Sequence, residues 1–413
     1  MPTMIFNLVK SIVGAGVLGL PAGVAAFGST HLALVPSVAL IAVIGVLSGY
    51  CFSLIGRICA YTSSVSYRQA WERSVSAKSG VVPALACFMV TFCSVLAYSM
   101  ILSDTVPSLL GAFTPYDGVT RTQALLGVTS VALLPLCLMK SLRALGPFSL
   151  VGILGMVYTS VAMALRYFDG SYREGGRFFV TLPPHLLPDF AAKGSAKMTD
   201  LLLNPNVFVL ISMLSTAYMA HYNASKFYWE LDNNTLKRYQ TVVGTSFGIA
   251  LLLFVTVASF GFATFGTNCA GLVLQNYSTS DPLMSLSRVA VALSILFSYP
   301  LAFVGVREGM LDLMQVPQSK RSDKLLNVVT VVLLSTITGM AYMLKDLRTL
   351  LAFNGATWGN AVIYLLPTYM FVSCVRNKLP KRQDLQAEVP FVIATGVLGL
   401  CMGIVGTVLA IKG

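Results

Sequence analysis

Residues Ile12 to Pro21 (IVGAGVLGLP) set three glycines and a proline in the middle of an apolar run. An interior helical Gly costs about 1 kcal/mol and Pro about 3 kcal/mol, so a plain lipid-facing helix gains nothing from them. The cost is useful if the helix breaks and lines a cavity. A break bares the amides at the start of the next half-helix. Gly14, Ala15, Gly16 and Val17 can then offer N–H groups and a positive dipole end to a carboxylate. A second apolar run carries Ser212, Ser215, Thr216, Tyr218, His221, Tyr222 and Asn223 at its middle and one end. Carbonyls freed by unwinding there can receive an ammonium group.

Ionisable residues inside apolar runs are few. Lys10 lies one turn before the glycines and can act as a fixed cation beside such a site, or snorkel to the membrane edge. Asp104 sits near the end of another run, where it can take up a proton or cap the turn at Pro107. Two further patterns look chemical. Gly14–Gly19 fits G-x-G-x-x-G, but no acid occurs before Glu72 and the flanks are apolar, which argues against a nucleotide site. Gly244–Gly248 fits G-x-S-x-G inside an apolar helix with no triad partner in sight. Small residues four apart there read as helix packing. No Cys or His spacing supports a metal site, and no cofactor is expected. Paired catalytic acids are missing from the apolar runs, so an enzyme is not expected.

The elements that must hold these residues follow from composition. The 413 residues are 56% hydrophobic and 11% charged, against roughly 25% charged in a soluble domain. This is a polytopic, all-α membrane protein. A crossing needs about 20 apolar residues, and eleven runs qualify: Met4–Phe27, Leu32–Ala60, Val81–Leu110, Gln123–Met139, Phe148–Phe168, Asn206–Tyr228, Thr241–Phe265, Leu283–Val306, Leu326–Leu344, Leu347–Cys374 and Phe391–Ile411. With the N-terminus inside, 17 of the 28 Lys and Arg fall on the inner side and 10 outside, Lys10 being intramembrane. Half of the outer charge lies on or beside one long loop, Asp169–Asn204. Positive charge marks cytoplasmic loops, so N-in and C-out is expected. The net charge of +12 is therefore topological, and nucleic acid is not an expected partner. The first run has no basic leader and is read as a retained span. Ser64–Val75 reads as a short surface helix or an ordered loop. Asn276-Tyr277-Ser278 is a glycosylation sequon in an outside loop.

Broken spans at matching places in two five-helix halves are the sequence mark of a transporter built on inverted repeats. The first repeat would cover about 4–168, the second about 206–374, and an extra helix about 391–411, in one domain of 1–413.

Several motifs recur in order. They are Asn7–Pro21, Ala97-Tyr98 with Asp104 and Pro107–Leu110, Pro135–Met139 with Leu145-Gly146, and His221 with Glu230-Leu231. Phe262–Gly266, Asn276-Tyr277 with Asp281–Leu283, Tyr299–Leu301 with Arg307-Glu308, and Gly355–Thr357 with Pro367 complete the series. Together they resemble the amino acid/auxin permease family, of LeuT-type fold, across nearly the whole chain. The resemblance implies secondary active transport of amino acids coupled to H⁺ or Na⁺. Sodium-coupled members usually carry Asn where Lys10 stands, and the Lys form is similar to the proton-coupled and vacuolar branches. Proton coupling is thus the expectation, with sodium symport or a non-transporting amino acid receptor as alternatives. The carboxylate is expected at Gly14–Val17 and the ammonium near Ser215, Thr216 and Tyr218. Tyr98, Ser294 and Asn354 would line a pocket for a neutral side chain. Lys10, Asp104, His221 and Ser298 are the candidates for coupling. The host membrane fits a plasma membrane, a vacuole or an endosome. Only Cys269 is placed outside, so the family's outer disulfide has no second cysteine here.

Overall fold

The computed structural model describes residues 1–114, 118–139, 148–192, 197–379 and 381–412. Lys140, Arg143, the Leu145-Gly146 hinge and Lys193 lie outside them. The described chain is helical, with a single isolated bridge between Asp189 and Gly266. Eight helices are long and apolar enough to cross a membrane, or nine when the bent pair at the N-terminus counts as one span. The eight begin at His31, Ala77, Arg121, Leu236, Pro282, Asp323, Leu347 and Gln383. Two further expected spans are helical but do not meet that standard. The fifth forms Phe148–Phe168. The sixth is divided into Val207–Ala217 and Ala224–Trp229, each too short to cross alone. The spans are numbered below in the order the sequence predicts.

Span one runs as a helix over Pro2–Ile12, steps through Val13 and Gly14, makes a 3-10 turn over Ala15–Gly19 and resumes as Leu20–Ala25. The two halves are bent by 45°. Pro21 sits in the first turn of the second half, where its missing N–H costs nothing. Span six breaks over Tyr218–Ala220 without any Gly or Pro. Its break is tied to span two instead. Tyr218 donates to the Ile41 carbonyl at 3.1 Å, and the His221 ring meets the Ser48 carbonyl at 2.9 Å. Span ten stays one rod but loosens into π-helical turns over Gly355–Gly359 and Ala361–Leu365.

Two groups of spans organise the packing. Span seven lies along spans two and one, and span six packs on two. Span eight lies along three and five, with span nine on three. Span six also touches ten and eleven.

The ends are pinned by charge. Arg57 of span two holds Glu388 of span eleven through two hydrogen bonds, at 2.7 and 2.5 Å, and Tyr50 adds a third at 2.6 Å. Arg166 grips the fully buried Asp281 at 2.7 Å, and Asp281 also caps the start of span eight at the Leu283 amide. The long loop between spans five and six folds back onto Gly266. A left-handed φ of +62° and the close approach of the Asp189 backbone make glycine the fitting residue there. Tyr67–Ser74 is a helix capped by Ser66, and Trp71 stacks on Tyr369. It packs on the bundle rather than floating on the membrane surface.

Candidate functional site

The two breaks meet. A methyl group added to Gly16 would lie 3.3 Å from the Cα of Ala217, the last residue before the break in span six. The start of the 3-10 turn leaves the amides of Ala15 and Gly16 without helical acceptors. At the end of Val207–Ala217 the Tyr218 and Met219 amides take up the Leu214 and Thr216 carbonyls, which leaves those of Ser215 and Ala217 without backbone donors among the described residues. Bare donors of one rod thus face bare acceptors of another. That arrangement suits a molecule carrying both a carboxylate and an ammonium group.

Below the span-one break a narrow cleft is lined by Lys10, Val13, Gly14, Leu18, Tyr98 and Gly152, and closed by Met156, Val291, Ser294, Ile295 and Ser298. It has room for about one water-sized guest. Five expected site residues therefore share one wall system: Lys10, Gly14, Tyr98, Ser294 and Ser298. The Tyr98 hydroxyl stands where a Cβ on Gly14 would approach it to 3.4 Å. The Lys10 Nζ is buried and has no hydrogen-bond partner among the described residues. On the other side of the break the path is packed. A methyl on Gly19 would meet Leu351 at 2.8 Å, Met213 at 3.0 Å and the Gly271 carbonyl at 3.2 Å.

The other expected residues lie elsewhere. Thr216 donates to the Leu351 carbonyl at 2.7 Å and so ties span six to ten. Ser215 donates to Asn360 Oδ1 at 3.0 Å. The Tyr218 ring turns toward span two and stacks on Phe247. Any part these three play toward a ligand falls to their backbone carbonyls. Asn354 is buried, and its Oδ1 has no donor among the described residues. Asp104 pairs with Arg121 at 2.6 Å, and Arg121 also holds the Ala341 carbonyl at 3.0 Å. This cluster staples spans three, four and nine, away from the cleft. His221 is fully buried. A carbonyl only accepts, so its Nε2 must carry a hydrogen toward Ser48, and its Nδ1 is left without a partner. Asn276 is fully buried, donates to the Asn268 carbonyl at 2.7 Å and accepts from the Ala270 amide at 2.8 Å. The folded chain does not present it as a glycan acceptor.

Sequence reasoning missed Gly152 and Asn360. A Cβ on Gly152 would come within 2.5 Å of Ser294 Oγ and 3.9 Å of Lys10 Cε, so the missing side chain makes space for both. Asn360 is an intramembrane polar residue six places after Asn354, and the logic that singled out Asn354 applies to it equally. The apolar lining at Met156, Val291 and Ile295 carries no signal that separates it from core.

Two broken rods abutting inside a helical membrane bundle define the class: a LeuT-like fold. The solved structure of MhsT in complex with L-phenylalanine matches over 98% of this chain and 98% of that one, with a TM-score of 0.58 and 14% identity. That likeness concerns the fold alone. The family profile described as transmembrane amino acid transporter protein matches residues 1–409, and the chain belongs to that family. It is a multi-pass membrane transporter protein and not an enzyme. Among curated relatives, a Danio rerio protein with the provisional name sodium-coupled neutral amino acid transporter 11 is 24% identical over 97% of this chain and 84% of its own. The Mus musculus protein of the same name is 22% identical over 98% and 84%.

Proposed function

We propose that the protein carries neutral amino acids across its membrane by alternating access, driven by protons. The observation that carries this reading is the contact of the two breaks at Gly16 and Ala217 above the Lys10 cleft. The amino acid carboxylate meets the amides of Ala15, Gly16 and Val17. Its ammonium meets carbonyls of Ser215–Tyr218, and its side chain faces Tyr98, Ser294 and Asn354. Spans one, two, six and seven rock against the rest. In full the chain makes eleven crossings, as two five-helix repeats and an extra helix, with its N-terminus cytoplasmic.

Proton coupling rests on Lys10. Its ammonium occupies the cleft, and a sodium ion 4 Å from it would be repelled by about 4 kcal/mol at an effective dielectric of 20. A neutral amine would be free of that penalty, so proton loss and gain at this residue can drive the cycle. Asp104, already paired with Arg121, is a weaker candidate. The names of the relatives favour a second reading, sodium symport.

The test is uptake of L-alanine, L-leucine and L-phenylalanine into proteoliposomes. A pH gradient alone should drive accumulation, and sodium should add nothing. Accumulation only with sodium favours the second reading. Binding without flux would make the chain a receptor.

A further inference from the structure

We infer that the cleft beside Lys10 is an anion subsite, which takes a small monovalent anion: a free halide or the carboxylate of the transported amino acid. The inference rests on the transport reading only for the second of these sources.

The chemistry of the lining is one-sided. The Lys10 ammonium brings three donors, is buried, and has no partner among the described residues. Tyr98, Ser294 and Ser298, each with a hydroxyl, line the same cleft. No carboxylate lines the cleft among the described residues. Asp104, in span three with Tyr98, is held by Arg121 and turned elsewhere. A buried ammonium left without a counter-charge is costly, and among the described residues no protein group supplies one. The rest of the wall is apolar or glycine, so nothing else competes for the guest.

The shape agrees. Gly152 leaves the space that Lys10 and Ser294 share, and the cleft holds about one water-sized guest. A halide fits the cleft as it stands. A carboxylate held on the Ala15–Val17 amides would reach the cleft with its second oxygen, since Gly14 belongs to both places. A sodium ion needs oxygen ligands and negative charge, and this lining offers it a cation instead.

The experiment uses the full chain in lipid nanodiscs. Bromide and chloride are titrated without amino acid, against gluconate. Binding of L-leucine and of L-leucinamide is measured separately. Wild type is compared with Lys10→Met and with the milder Ser294→Ala. Thermal melting checks that each variant is folded.

Halide binding that falls at least tenfold in Lys10→Met and by a smaller factor in Ser294→Ala supports the free-halide source. Absence of halide binding, with L-leucine weakened at least tenfold by Lys10→Met and L-leucinamide unchanged, supports the carboxylate source. The inference is overturned if neither halide nor L-leucine binding depends on Lys10, or if sodium binds the wild-type cleft. Halide binding with no amino acid binding would sink the transport reading and leave the anion subsite standing.

Discussion

Replacing Gly16 by alanine tests the meeting of the two breaks. The added methyl would lie 3.3 Å from Ala217 Cα, 3.6 Å from its N and 3.7 Å from its Cβ. The first two are backbone atoms and cannot rotate aside, so the rods must part by a few tenths of an ångström. Overpacking of this kind costs about 1–3 kcal/mol. Gly→Ala returns about 0.4–1 kcal/mol through the unfolded chain. Net stability should therefore change little, while the geometry between the rods is lost. If about 1.5–3 kcal/mol falls on substrate binding, affinity drops by roughly ten- to a hundred-fold. Uptake of L-leucine into proteoliposomes should fall at least tenfold, with a melting temperature within a few degrees of wild type. Gly244→Ala is the matched control, since a methyl there has nothing within 4 Å, and it should transport normally. Uptake by Gly16→Ala within twofold of wild type would refute the reasoning.

Three further tests probe the frame. Asp104→Asn removes the counter-charge of the mostly buried Arg121 guanidinium and leaves it only neutral partners such as the Ala341 carbonyl, which should cost about 2 kcal/mol in a melting assay; an unchanged melting temperature would free Asp104 for the role of proton acceptor. Glu388→Gln should loosen span eleven from span two, and a double-mutant cycle with Arg57→Leu should give a coupling of about 1–3 kcal/mol. Zero coupling would show that the contact is idle. Asn276→Gln should destabilise the chain by about 1–3 kcal/mol through two lost buried hydrogen bonds, and glycosidase should not shift the wild-type band. A shifted band would show that this loop is reached by glycosylation before it packs.

The break in span one was legible because its cause is local. Gly14, Gly16, Gly19 and Pro21 are poor helix formers wherever they stand. The break in span six was harder to read, since Tyr218, Met219 and Ala220 form helices well enough. Long-range bonds to Ile41 and Ser48 hold it open, and no window along the chain contains them. Lys10 stands out as a rare charge in an apolar run, Tyr98, Ser294 and Ser298 are picked as polar groups of the expected pocket and coupling site, and the structure gathers all four into one cleft. The same rule also selected Thr216 and Tyr218, whose side chains tie helices together instead. Polarity marks a residue as needing a partner and does not say whether that partner is a helix or a ligand. Gly152 was invisible for the opposite reason, because its contribution is an absence. The sequon at Asn276 is a pattern of three residues, and burial decided by the Asn268–Ala270 backbone lies beyond it. The helix at Tyr67–Ser74 has its own cap in Ser66, but Tyr369, on which Trp71 rests, is about 300 residues away.

The most direct test is a density map of the full chain in a lipid nanodisc with a bound neutral amino acid. The carboxylate should lie against the amides of Ala15–Val17, and the ammonium against the carbonyls that end Val207–Ala217. An amino acid lodged elsewhere, or spans one and six running unbroken past a ligand, would contradict the account.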